Sequence, residues 1–237
     1  MKPISKVLFV FSLFLPSISS AQINAYYFAG LGSDYRIFQS LDIDSTLCVK
    51  YIDYPIPSED ETMQSYAKKL CTQIDTTKPY VLIGTSIGGM LAVELTDILS
   101  PERTFIIASA KTRQELPLQY RFQRVIPIHK IVTDAMIRNA TRFLQPIVEP
   151  DSRDSLELYR DMLDQKDTNF MKRAVEMILL WDRSDYHKSI IHIHGTKDHT
   201  IPFRNVNASY LIEDGSHMMT LTRSYEIGKI IRQEIFH

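Results

Sequence analysis

The sequence predicts an α/β domain of about six mostly parallel strands flanked by helices, with a helical insert near its middle. Three observations carry that expectation. Short apolar runs alternate with segments of helical periodicity along most of the chain. Runs such as PYVLIG (79–84) are apolar almost throughout, as strands covered on both faces are. The stretch 111–186 breaks the alternation: it is helical in pattern and divided by Pro117, Pro127, Pro146 and Pro150.

The elements follow in order. INAYYFAG (23–30) reads as a strand ending at glycine, and LCVKYIDYP (47–55) as a second closed by Pro55. Residues 59–74 have helical periodicity, with acids first and lysines later, as a helix dipole favours. The strand 79–84 leads into a helix over 87–100, stopped by Pro101. RTFIIASA (103–110), KSIIHIHG (188–195) and NASYLIEDG (207–215) complete the strands, and 217–236 closes the chain as a helix. Within the insert, 167–182 is the clearest amphipathic helix. Tyr120, Phe122, Phe143, Leu144 and Trp181 make the insert strongly apolar. It suits either a lid over a site or a structural helical layer; its length favours a lid.

The chain has 237 residues, 44% apolar and 23% charged, the balance of an ordinary globular domain. Its formal net charge of -1 and the lack of basic runs argue against a nucleic-acid partner. Residues 1–21 look like a cleavable secretory signal. Lys2 and Lys6 precede the apolar run Val7 to Leu15, and Ser19 and Ala21 take the small-residue places before Gln22. That run is too short to span a bilayer, which takes roughly 20 residues. The expected organisation is therefore a signal over 1–21 and one domain over 22–237, with core 22–110 and 187–237 and insert 111–186. Export would permit a disulfide between Cys48 and Cys71, but two separate buried thiols are the expectation.

The candidate chemistry begins at Gly84-Thr85-Ser86-Ile87-Gly88, which fits G-x-S-x-G with a strand before it and a helix after it. Such a turn strains the serine and lifts its hydroxyl above the sheet, while the glycines let strand and helix approach. The alternative is a helix N-cap by Ser86. Asp198 follows the strand 188–195, and His217 follows the last strand. Loops after strand ends build the sites of open parallel sheets. A serine nucleophile needs an imidazole to take its proton, and the imidazole needs an acid to orient it. The glycines agree: of eight, only Gly228 lies outside the loops at 30–32, 84–89, 195 and 215.

Other groups are weaker candidates. His192 and His194 share one strand face and suit core packing better than a metal. His199 adjoins Asp198, Asp214 is a rival acid, and Asp182 and Asp185 precede their strand rather than follow it.

On FAGLGSD, LIGTSIGG, HIHGTKDHTIP and DGSHMM the sequence resembles the α/β-hydrolase superfamily, over residues 23–237 except the insert. The resemblance implies a small serine hydrolase of esterase or thioesterase type, with Ser86 as nucleophile, His217 as base and Asp198 as acid. It implies oxyanion donors at the N–H groups of Leu31 and Ile87, an acyl-enzyme, and no metal or organic cofactor. The sequence departs from the family in having Ala29 where many relatives place a histidine before the oxyanion glycine. It also starts directly at the strand leading to that loop, without the family's first antiparallel strands. The expected substrate is a small ester or acyl compound. Acyl transfer, C–C hydrolysis and non-catalytic ligand binding are the alternatives. The expected location is the periplasm or the extracellular space.

Overall fold

The computed structural model describes residues 22–43, 45–123 and 156–236. Its centre is one sheet of β1 (Asn24–Phe28), β2 (Cys48–Tyr51), β3 (Tyr80–Thr85), β4 (Arg103–Ile107), β5 (Ile190–Gly195) and β6 (Tyr210–Ile212). The strand order is β2-β1-β3-β4-β5-β6, and each neighbouring pair is parallel. The chain first moves outward from β1 to β2, then crosses back over β1 to β3. The topological switch point thus lies between the carboxyl ends of β1 and β3, where Phe28 is opposite Gly84.

Alternation along the strands feeds two apolar layers. From β1, Tyr26 and Phe28 pack on one face with α1 (Met63–Leu70) and α2 (Ile87–Ile98). Ala25 and Tyr27 pack on the other with Ile37, Phe38 and the last helix. Among the described residues the insert contributes α3 (Leu118–Gln123), α4 (Leu156–Asp164) and α5 (Thr168–Leu180), and α6 (Met219–Thr222) and α7 (Ser224–Phe236) follow the last strand. The Asp167 side chain accepts the N–H groups of Asn169 and Phe170 and so starts α5. Trp181 is buried, and its Nε1–H donates to Glu94 of α2 at 2.8 Å, tying the insert to the core.

Several boundaries differ from the expected ones. The second strand stops at Tyr51: the Ile52 N–H still donates to the Tyr27 carbonyl at 3.0 Å, but from Asp53 the chain turns away and its backbone bonds the Gln73 side chain. The helix expected over 59–74 starts at Met63, where Thr62 and Ser65 form a capping box, and tightens to a 3-10 turn at Cys71–Gln73. Pairing of the last strand covers only Tyr210–Ile212, before a turn at Asp214 with φ 56°. The closing helix is interrupted at Arg223, between α6 and α7. Cys48 and Cys71 are free thiols, half-buried rather than buried. The expected signal segment, Phe143 and Leu144 lie outside the described residues. No helix among the described residues is long and apolar enough to cross a membrane.

Candidate active site

Ser86 occupies the single residue between β3 and α2, with φ 53° and ψ -125°. Non-glycine residues in such conformations carry roughly 1–3 kcal/mol of strain, which the surroundings must overcome. Here the Ser86 N–H donates to Ile107 at 3.0 Å, and its carbonyl accepts from Gly89 N–H at 2.9 Å and Ser109 Oγ at 2.6 Å. Gly88 lies so close to β1 that a Cβ there would overlap the Phe28 carbonyl. The Ser86 hydroxyl does not cap α2. Its Oγ is 3.0 Å from Nε2 of His217.

Asp198 and His217 come from the turns after β5 and β6. These turns press together backbone to backbone: a Cβ on Gly195 would overlap the Gly215 carbonyl, and Lys197 N–H donates to that carbonyl at 2.9 Å. His217 Nδ1 is 2.8 Å from Asp198 Oδ2, and Asp198 Oδ1 accepts the Ile201 N–H at 2.7 Å. Burial pushes the Asp198 carboxyl up. The adjacent His217, with His194 and the Ile201 N–H, outweighs burial and holds it below the usual carboxylate range. Ser86, His217 and Asp198, far apart in sequence, thus stand in one hydrogen-bonded line.

Leu31 and Ile87 lie in the loop after β1 and at the start of α2. Ile87 opens α2 and is buried. Leu31 lies in the loop after β1, next to Gly30, where a Cβ would sit 3.3 Å from Ser86 Cβ. With Ala29 in place of a histidine, other groups hold this loop. Tyr54 Oη donates to the Ala29 carbonyl and Ser33 Oγ to the Gly30 carbonyl, each at 3.0 Å. From above, Leu163 and Tyr159 of α4 press on Gly32, and the Asp34 N–H meets Met162 Sδ at 3.5 Å.

The remaining candidates are distributed as follows. His192 and His194 are fully buried, with His192 Nε2 3.0 Å from His194 Nδ1. His199 is exposed, as are Asp182 and Asp185. Asp214 pairs with Lys197 at 2.9 Å, away from His217. The described residues contain no cluster of three or more His, Cys, Asp or Glu arranged to hold a metal ion. The sequence did not single out Ser109, nor Thr220, whose hydroxyl is 3.0 Å from that of Thr85. Both reach the Ser86 turn from other strands and helices, so no local motif marks them.

A scan of family models and a search of curated proteins gave no match. Solved structures do match. A hydrolase from Pseudomonas aeruginosa PA01 superposes with a TM-score of 0.71 at 13% identity, covering 91% of each chain. MenH from S. aureus gives 0.70 at 15% identity, over 91% of this chain and 94% of that one. An esterase from Thermogutta terrifontis gives 0.68 at 14% identity, over 91% and 90%. The chain has the α/β-hydrolase fold. In this α/β-hydrolase-fold chain the sheet among the described residues is entirely parallel. Beside the loop at 29–34 the fold leaves a cavity of about 320 Å³, lined by Tyr27, Tyr51, Tyr54, Phe170 and Lys166 among others. Tyr54 and Phe170 stack with ring centroids 5.9 Å apart.

Proposed function

We propose that the protein is an exported serine hydrolase that cleaves a carboxylic ester or thioester through an acyl-enzyme on Ser86. The observation that carries this reading is the continuous line from Ser86 Oγ to His217 Nε2 at 3.0 Å and from His217 Nδ1 to Asp198 Oδ2 at 2.8 Å. The similarity to solved esterase and hydrolase structures supports hydrolytic chemistry on this fold.

The residues divide the work by their chemistry. His217 Nε2 takes the hydroxyl proton as Ser86 Oγ attacks the carbonyl carbon. The oxygen that gains charge meets the N–H groups of Leu31 and Ile87, the latter at the positive end of α2. When the tetrahedral intermediate collapses, the imidazolium returns its proton to the departing alcohol or thiol. Water then attacks the acyl group on Ser86, with His217 again as base. Asp198 stays ionised and fixes the His217 tautomer throughout. The apolar side chains of the insert suit an apolar acyl or alcohol group, and the position of α4 over Gly32 supports the insert as a lid.

A fluorophosphonate probe tests this directly. Wild type becomes labelled at Ser86, and Ser86→Ala loses both labelling and turnover on esters and thioesters of graded chain length. Folded wild type that takes no label and turns over none of the panel overturns the reading.

A further inference from the structure

The residues behind Asp198 form a second polar line that the hydrolytic mechanism does not use. His194 and His192, both on β5, are fully buried. His194 Nε2 is 2.8 Å from the Ile201 carbonyl and 3.4 Å from Asp198 Oδ2, the same oxygen that faces His217. His194 Nδ1 is 3.0 Å from His192 Nε2. Nδ1 of His192 is buried beside the Ser109 carbonyl, without a hydrogen bond of ordinary geometry.

These distances fix where the protons are. His194 Nε2 faces two acceptors, a carbonyl and a carboxylate, so it carries hydrogen. Burial lowers the proton affinity of both imidazoles; Asp198 and the Ile201 carbonyl only partly offset this at His194, and His194 and Lys111 add to it at His192. Each ring is therefore neutral and has one N–H. His194 Nδ1 is then a bare lone pair, and His192 supplies the N–H between the rings from its Nε2. The opposite orientation would aim the His192 Nδ1–H toward the nearby Ser109 carbonyl. It would also set the His194 Nε2 lone pair against the Ile201 oxygen at 2.8 Å. Other charged or titratable groups around the line are His217 beyond Asp198, Lys111 on the His192 side and Tyr120 toward Asp198. The Lys111 ammonium is held by the Asn207 carbonyl at 2.5 Å and Glu115 at 3.6 Å.

We propose that His194, oriented by His192, is a positioning residue for the reaction at Ser86. As the Nε2–H tautomer it holds the Ile201 carbonyl and stands 3.4 Å from Asp198 Oδ2, bracing the 198–201 turn that carries the carboxylate and keeping Oδ2 aimed at His217 Nδ1. The His192 N–H is directed at His194 and the His194 N–H at the Ile201 carbonyl beside the carboxylate, so the first polarises the second. The role rests on the hydrolase reading, but the proton positions do not.

Nitrogen-15 NMR of protein labelled at histidine reads those positions in unmodified protein. The expected result is neutral Nε2–H tautomers at His192 and His194 at neutral pH; an Nδ1–H tautomer at His194 overturns the proposal whatever the protein catalyses. The second arm follows labelling rate and ester turnover against pH. His194→Phe removes the bond to the Ile201 carbonyl and the polar N–H 3.4 Å from Asp198 Oδ2, which loosens the turn and leaves the carboxylate charge less offset, strengthening its hold on the His217 proton. Turnover is expected to fall about 10-fold with KM little changed, and the midpoint of the acidic limb to rise by about half a unit. His194→Gln, which keeps an N–H at similar reach, restores most of the rate. If wild type is labelled while His194→Phe matches it in rate and midpoint, or Gln fares no better than Phe, the positioning role is wrong and the hydrolase reading stands. If wild type takes no label, the hydrolase reading itself fails.

Discussion

A backbone conformation that serine disfavours holds the Ser86 hydroxyl against His217, so the residues that stabilise that turn should matter almost as much as the proposed triad. Ser109→Ala removes the 2.6 Å bond to the Ser86 carbonyl. Its expected cost is about 1 kcal/mol of stability, with a fall in turnover that chemical denaturation and steady-state kinetics report separately. Asp198→Asn preserves shape but loses charge and tautomer control, and turnover should fall by a factor on the order of 10³ to 10⁴. Between about pH 5 and 8 the rate should rise as His217 loses its proton, and a flat profile would count against His217 as base. The convergence of Ser86, Asp198 and His217 was legible because each sits at a fixed place after a strand, beside a glycine that marks the turn. Ser109, Thr220 and His194 were not. Their roles arise from contacts across strands, and a serine or histidine in an apolar strand looks the same in sequence whether it braces a site or only fills the core.

Elements were legible in kind and order but less so at their ends. Hydrophobic runs identify β2 and β6, yet both are edge strands: β6 stops where β5 runs out at Gly195, and β2 stops where its backbone turns to the Gln73 side chain, which only the register reveals. The approach of β3, α2 and β1 was foreshadowed by the glycines around Ser86. Gly88→Ala would drive a methyl into the Phe28 carbonyl, where backbone meets backbone and no side chain can yield. We expect a loss of about 3 kcal/mol or more in urea unfolding, with activity lost even in protein that remains folded. The packing of α4 on the loop at 29–34 was not foreseeable, since nothing in its amphipathic pattern says which loop it covers. Leu163 is buried there against Gly32. Leu163→Ala should cost about 2–5 kcal/mol if the cavity stays open, and should slow turnover by loosening the loop.

On the scale of the whole molecule, the buried histidines tie stability to pH. His192 and His194 have folded values below the free-imidazole value of about 6.5. As pH falls below that value, the unfolded chain takes up protons that the folded chain refuses. Stability is therefore full above it and declines with acidification until the folded values are passed. Asp198, depressed in the fold, adds a loss in the same direction at lower pH, as its folded value is approached. Urea midpoints measured at pH 7, 6 and 5 should fall steadily, and His192→Phe should make that fall shallower. The contact between Gly195 and Gly215 has a separate consequence. Acid and base ride on one fused block of two turns, whereas the nucleophile belongs to the block formed by β1, β3 and α2. The hydroxyl–imidazole gap thus lies between loops carried by β3 and by β5 and β6 of the same sheet, bridged nearby by the Thr85–Thr220 hydroxyl pair. Gentle heating should part the nucleophile from its base while the base still grips its acid, silencing the protein well before it melts.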